Sequence, residues 1–275
     1  MTTAAVSRLD SLRRLVSLRG WLEKLGKNSV DFSYHAGGIA LLFKDTLGTL
    51  FSTRLRWDAT LEQLSRIGVM SLPLVALQAL FTGMVLSLQS AYQLRLFAAE
   101  QFTSDLVALS MTRELGPVLT AMVVAGRVGA SIAAELGTMK VTEQIDALKA
   151  LATDPVRYLV VPRFVAAFFS LFILTIYADC IGMFGGYLVA IFKIGISSHQ
   201  YIKRSIEILL IKDVITGLIK AFFFGGIIAT VGCYYGLKTE GGAEGVGRAT
   251  NVAVVAALVM IIASDALFTA IFYFF

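Results

Sequence analysis

Charge is scarce in this chain, and so are the residues that cross-link a fold or hold a metal. Of 275 residues only 16% are Asp, Glu, Lys or Arg and 57% are hydrophobic, where an ordinary soluble domain carries roughly 25% and 45–50%. So little charge cannot cover a water-facing surface, and the composition is that of an integral membrane protein. The two cysteines, Cys180 and Cys233, lie inside apolar runs; they offer no disulfide framework and read as small hydrophobes. His35 and His199 stand far apart with no Cys, His or Asp cluster at ligand spacing, which argues against a metal site, and no cofactor is expected. No G-x-x-x-x-G-K-[ST] phosphate loop occurs. Gly236-Leu237-Lys238-Thr239 carries only its tail, and Gly241 to Gly247 follows no buried strand, so ATP binding by a P-loop is excluded and the glycine cluster reads as a flexible loop. No apolar core with a small-residue cleavage site follows the first basic residues, which argues against a signal peptide. The net charge of +5 does not point to nucleic acid, because the basic residues gather at the N-terminus and in loops, where they meet anionic headgroups.

What is present are long apolar runs. Residues 67 to 94 contain no charge over 28 positions despite Pro73, which membrane helices tolerate. Four further runs follow: Leu106 to Gly137, Phe164 to Phe192 interrupted by Asp179, Val214 to Leu237 with Lys220 near its start, and Ala249 to Phe275 with Asp265 inside. Each is long enough to cross a hydrocarbon core of about 20 residues, and five spans put the termini on opposite sides. Before them, Leu15, Leu18, Leu22 and Leu25 form a stripe among basic residues, the pattern of an interfacial helix. Ile39 to Leu55 reads as another interfacial or half-buried piece. The expected division is residues 1–63, basic and interfacial, and residues 64–275, the five-span domain. With the N-terminus cytoplasmic, 16 of the 24 Lys and Arg fall on that side, five on the other and three inside spans, so the positive-inside rule places the N-terminus in the cytoplasm.

The stretch from Arg113 to Arg163 organises the chain. Arg113, Glu114, Arg127 and Glu135 occupy a helix that enters lipid, where each unpartnered charge costs roughly 2.5–3.5 kcal/mol at mid-membrane; they face protein, water or headgroups. Ala125, Gly129, Ala133 and Gly137 recur every fourth residue as a smooth packing face, and Gly182/Gly186 and Gly232/Gly236 share GxxxG spacing. The position of Glu114 before Gly116-Pro117 predicts a helix start. Val141, Ile145, Leu148 and Ala152 fall on one helical face, predicting an amphipathic helix over Val141 to Ala152, too short to span, that Asp154-Pro155 terminates. Leu94, Phe97, Phe102, Arg113 and Glu114 mix apolar and charged groups near one end of the first two spans, as a lipid's chains and headgroup require; Leu94 and Phe97 equally suit ordinary interfacial anchors. Asp179, Lys220 and Asp265 pair with Arg127, pair with one another, or form a proton path, and the sequence leaves these alternatives open.

The strings RELGP, AGRVGASIAAELGTM, TEQIDAL, DP and YLVVPR, in that order from Arg113 to Arg163, resemble the MlaE/YrbE family of ABC transporter permeases, which move lipids together with MCE-domain proteins. The resemblance implies an all-α integral membrane protein: an elbow-like helix before five transmembrane helices, with a cytoplasmic coupling helix between the second and third spans. It implies a homodimer in the inner membrane, two copies of a separate ABC ATPase subunit, a periplasmic MCE-domain partner, and no catalysis by this chain. It implies that Lys140 to Leu151 docks on the ATPase, with Lys140, Glu143, Gln144, Ile145, Asp146, Leu148 and Lys149 as coupling residues. It also implies that Glu114, with Arg113, Phe97 and Leu94, borders a lipid cavity; the intramembrane cations Arg127 and Lys220 complete the candidate set. The competing class is a proton-coupled secondary transporter or channel relaying through Glu114, Asp179, Lys220 and Asp265, against which no second copy of RELGP or AGRVGA marks an inverted repeat. A membrane-embedded enzyme lacks its usual nucleophile–histidine pair or metal cluster.

Overall fold

The computed structural model describes the backbone of residues 3–52 and 55–274, and side chains within these from Gly26 onward except at positions 28, 32, 273 and 274. Two compact units divide the chain, residues 1–44 and residues 45–275. Helix α1 runs unbroken over Thr3–Ser52, one element where the sequence suggested two pieces. The leucine stripe Leu15, Leu18, Leu22 and Leu25 lies outside the residues whose side chains are described.

Among the described residues, five helical stretches are long and apolar enough to cross a bilayer: Trp57–Arg95, Glu100–Val141, Val156–Ile194, Ile211–Leu237 and Gly242–Phe272. The chain is therefore an all-α integral membrane protein. Span 1 joins α2 (Trp57–Ile67) to α3 (Leu72–Arg95) through a tight turn at Val69–Ser71. Pro73 falls in the first turn of α3, where its missing N–H leaves no gap in the helix ladder. Span 2 strings together α4 (Thr103–Ser110), α5 (Gly116–Val124) and α6 (Ala130–Val141), separated only by single π-helical turns at Met111–Leu115 and Ala125–Gly129. Glu114 therefore does not start a helix, contrary to the reading of Gly116-Pro117. The backbone passes through it in right-handed helical conformation and widens by one π turn to accommodate the proline. A short α7 (Gln144–Ala150) follows. Then come α8 (Val161–Val189), α9 (Ser198–Ile208), α10 (Ile211–Leu237) and α11 (Gly242–Phe274).

Helix α8 is the hub of the five-span bundle, packing on α2, α3, α5 and α10, while α10 packs on α5 and α6 and α11 closes against α6 and α10. Small residues make these contacts close. The smooth face of span 2 meets α10, where a methyl on Gly232 would lie 3.1 Å from the Gly129 carbonyl oxygen and one on Gly236 3.0 Å from that of Ala133. On the other side of the bundle a Cβ added at Gly83 would run into the Gly182 carbonyl. With water absent from lipid, such backbone approach is a main source of helix association. Gly83→Ala is expected to lower stability in detergent by about 1–3 kcal/mol, the cost of overpacking a tight interior. Gly126→Ala, where no atom lies within 4 Å, is expected to leave it unchanged or slightly raised; denaturant titration of both variants checks the contrast.

Candidate functional site

Lys220 is the centre of a charged cluster between spans 2, 4 and 5. Its side chain is 2% exposed, and its Nζ lies 2.6 Å from Glu114 Oε2 and 2.9 Å from Asp265 Oδ1. An ammonium has three protons to donate. Those of Lys220 go to Glu114, to Thr269 Oγ1 at 2.7 Å and to the Arg113 carbonyl at 3.3 Å, so Asp265 is held by charge rather than by an aligned hydrogen bond. Thr269 in turn donates to Glu114 Oε1 at 2.9 Å. The Arg113 carbonyl is free to accept because Pro117, four residues on, has no N–H to give it. The proline of RELGP thus opens a backbone acceptor at the point where Lys220 enters.

Beside this cluster, Arg113 reaches Asp213 Oδ1 through Nη2 at 2.8 Å and Nε at 2.9 Å, and Asp213 Oδ2 accepts the Leu210 N–H at the start of α10, where the helix dipole favours an anion. Arg113, Glu114, Asp213, Lys220 and Thr269, with Lys212, line a cavity of about 260 Å3, with Leu210 and Phe272 as apolar wall. The lining charges sum to one more positive than negative. The arrangement offers polar and charged contacts on one side and hydrocarbon on the other.

The glycine of RELGP has a separate reason. Asp179 is buried on α8, and its Oδ1 sits where any side chain at position 116 would go. That oxygen has no hydrogen-bond partner among the described residues, and Asp179 makes no ion pair with Lys220 or Arg127. Arg127 is not brought to the Lys220 cluster. It lies toward the α7 end of span 2, with Nη1 2.6 Å from Ser71 Oγ and 3.4 Å from the Arg66 carbonyl. Neither Leu94 nor Phe97 lines the Lys220 cavity; Leu94 is half-buried and Phe97 is 79% exposed beyond the end of α3. The Phe102 ring lies under the Arg204 guanidinium at 4.2 Å, and Arg204 is paired with Asp105 at 2.7 Å. That carboxylate, hydrogen-bonded to Arg204, raises the guanidinium further above its ordinary value.

The segment after span 2 is shorter than the sequence predicts. Val141 completes α6, Thr142 bonds back to the Thr138 carbonyl, and Glu143 adopts a left-handed φ of 59° that breaks the helix before Gln144. Of the predicted apolar face, Ile145 is buried and Leu148 half-buried, while Val141 and Ala152 are exposed, Ala152 in a second left-handed turn. Leu151 stands 75% exposed. Lys140 clamps the far side, with Nζ 2.8 Å from Asp146 Oδ2, and Lys149 adds a longer contact at 3.5 Å. Hydrogen bonding from Lys140 holds the Asp146 carboxyl below its usual range, so the pair persists at neutral pH and is lost only as acidification passes below the ordinary carboxylate value, about 4. Glu143, Gln144 and Lys149 are exposed.

Asp213 and Thr269 were not singled out in the sequence. The available signal was spacing: Asp213 and Lys220 stand seven apart on one face of α10, and Asp265 and Thr269 four apart on α11.

Fold and site together define a multi-pass α-helical membrane protein with a charged cavity between its spans. The chain belongs to the permease MlaE family, whose pattern matches residues 60–271. It is 45% identical over 249 residues to a probable ABC transporter permease protein of Rickettsia typhi, covering 90% of this chain and 96% of that one. It is 36% identical over 256 residues to the intermembrane phospholipid transport system permease protein MlaE of Haemophilus influenzae, covering 92% and 97%. With the chloroplastic protein TRIGALACTOSYLDIACYLGLYCEROL 1 of Arabidopsis thaliana it shares 38% over 220 residues, 80% of this chain and 63% of that one.

Removing one partner of a buried ion pair leaves the other uncompensated, at a cost of roughly 3–5 kcal/mol. Lys220→Met is expected to destabilise the bundle toward the lower end of that range, because Glu114 is only part-buried. Adding Glu114→Gln and Asp265→Asn is expected to restore most of the loss, which a multiple-mutant cycle of unfolding in detergent measures.

Proposed function

We propose that this chain is the membrane-spanning permease subunit of an ABC transporter that moves phospholipid or a related lipid, driven by a separate ATPase. The observation that carries the reading is the cavity at Lys220, where Arg113, Glu114 and Thr269 face an apolar wall between spans, an environment suited to an amphiphile's headgroup and the first carbons of its chains. The names of the relatives from Rickettsia typhi and Haemophilus influenzae, matched over at least nine-tenths of this chain, support the same class. In this reading the protein sits in the inner membrane as a homodimer with its N-terminus and the α7 end in the cytoplasm. Two ATPase subunits dock there, and an MCE-domain carrier exchanges lipid on the opposite side. Glu114 and Arg113 engage the headgroup. Exposed Leu151 and half-buried Leu148, with the Lys140–Asp146 clamp holding α7 against span 2, form the surface that receives the motor.

The chain expressed with its neighbouring genes is expected to co-purify with a Walker-motif subunit and, without it, to hydrolyse no ATP; robust hydrolysis by this chain alone sinks the proposal. Lipid movement in vesicles is expected to stop without ATP and to continue when a protonophore collapses the proton gradient, the reverse of what a proton-coupled carrier does. Leu148→Asp is expected to release the ATPase or to uncouple hydrolysis from transport while the spans stay folded; intact assembly and transport would reduce α7 to a connector. A photocrosslinker at Glu114 is expected to capture phospholipid, and Glu114→Trp to abolish transport at normal protein level.

A further inference from the structure

Thirteen residues along span 2 from Glu114, about 20 Å at 1.5 Å per residue, a second cavity of about 570 Å3 lies between the α2–α3 junction and the α5–α6 part of the span. Arg127, Arg66 and Glu135 supply its charges, and Ile67, Met70 and Ile132 its apolar wall. The charges do not balance. Glu135 is already taken by Arg163, buried behind it at 3.0 Å, and is approached by Arg66 at 3.8 Å. Arg127 makes no ion pair among the described residues, and its two hydrogen bonds, to the Ser71 hydroxyl and the Arg66 carbonyl, both leave from Nη1 and both end on neutral oxygens. Arg66 has a nearer partner in Glu62 at 2.7 Å, so three guanidinium groups face two carboxylates, and Arg127, the one lying deepest along the span, has no counter-ion among the described residues.

An unpaired guanidinium inside an apolar span is expensive unless an anion comes to it. Nε and Nη2 of Arg127 are bonded to none of the described residues, and a guanidinium fork with donors to spare matches the oxygens of a phosphate. The level in the membrane narrows the source. Arg66 is the last charge before the 28 uncharged residues of span 1, and Arg163 the last before the apolar length of α8, so this is where the spans enter lipid at the α7 end. The anion standing at that depth with hydrocarbon attached is a phospholipid headgroup.

We infer that this cavity binds the phosphate of a phospholipid from the leaflet at the α7 end, with Arg127 as the principal ligand, Arg66 as the second cation, and Met70 and Ile132 against the carbons nearest the headgroup. The inference rests on the membrane placement of the spans and not on the transport proposed above. A resident lipid here survives even if the chain transports nothing.

The test uses the full chain with a photocrosslinking residue at Ser131, which lines the cavity and carries no charge, in vesicles of phosphatylethanolamine and phosphatidylglycerol. Mass spectrometry of the adduct is expected to show phospholipid. Arg127→Gln is expected to reduce that adduct by about tenfold, the loss of one charge-assisted contact, and Arg127→Lys to restore part of it. In detergent, short-chain phosphatidylglycerol is expected to compete with the adduct, and millimolar inorganic phosphate is not. Crosslinks only to protein, whether to a second copy or to another segment of the same chain, overturn the inference. Competition by inorganic phosphate equal to that of the short-chain lipid also overturns it, because the occupant is then a soluble anion. Should Arg127→Gln fail to fold, the wild-type adduct and its competition still decide.

Discussion

Hydrocarbon offers an ion no solvent, and the ion pairs of these five spans are arranged around that constraint. Lys220 meets it by spending all three protons on oxygens from two other spans, one of them a backbone carbonyl that Pro117 leaves without its usual donor. Arg113 meets it through Asp213, and Arg163 through Glu135. The ion pairs and the glycine seams are one design. Charges can find partners across helices only where backbones come close, and backbones come close at Gly83, Gly129, Gly232 and Gly236.

The five spans and the packing face of span 2 were legible in the sequence because each is written in local pattern, a long uncharged run or a small residue every fourth position. The partners of the charges were not. Lys220 lies 106 residues from Glu114 and Arg113 lies 100 from Asp213, and no periodicity within one helix specifies which neighbour it meets. Arg127 shows the same limit from the other side: it belongs to the same span as Glu114, yet it lies thirteen residues away and joins a different cluster. The helix start expected at Glu114 failed because Gly-Pro usually ends or begins a helix in water, whereas here a π turn absorbs the ring and the helix continues. The amphipathic segment was overlong in the reading because periodicity counts side chains and is blind to the left-handed backbone at Glu143.

Span 2 is the element on which both cavities depend. It carries Arg113 and Glu114 near one end and Arg127 and Glu135 toward the other, and its π turns fall at Met111–Leu115 and Ala125–Gly129, the two places where it presents those arginines. A π turn rotates the helical face that follows it. The same span therefore offers its charges to α10 and α11 at one level and to the α2–α3 junction at the other.

The span is also unusually long, 42 residues in the stretch that ends at Val141, and it passes directly into α7. It is seated against α10 at more than one level: a Cβ on Gly217 would run into the Thr112 carbonyl, and those on Gly232 and Gly236 would lie 3.1 Å and 3.0 Å from the carbonyls of Gly129 and Ala133. A rod pinned to its neighbour at both levels has no pivot between them. A push on its α7 end would carry span 2 and α10 as one body, and with them Glu114 and Lys220, which belong one to each.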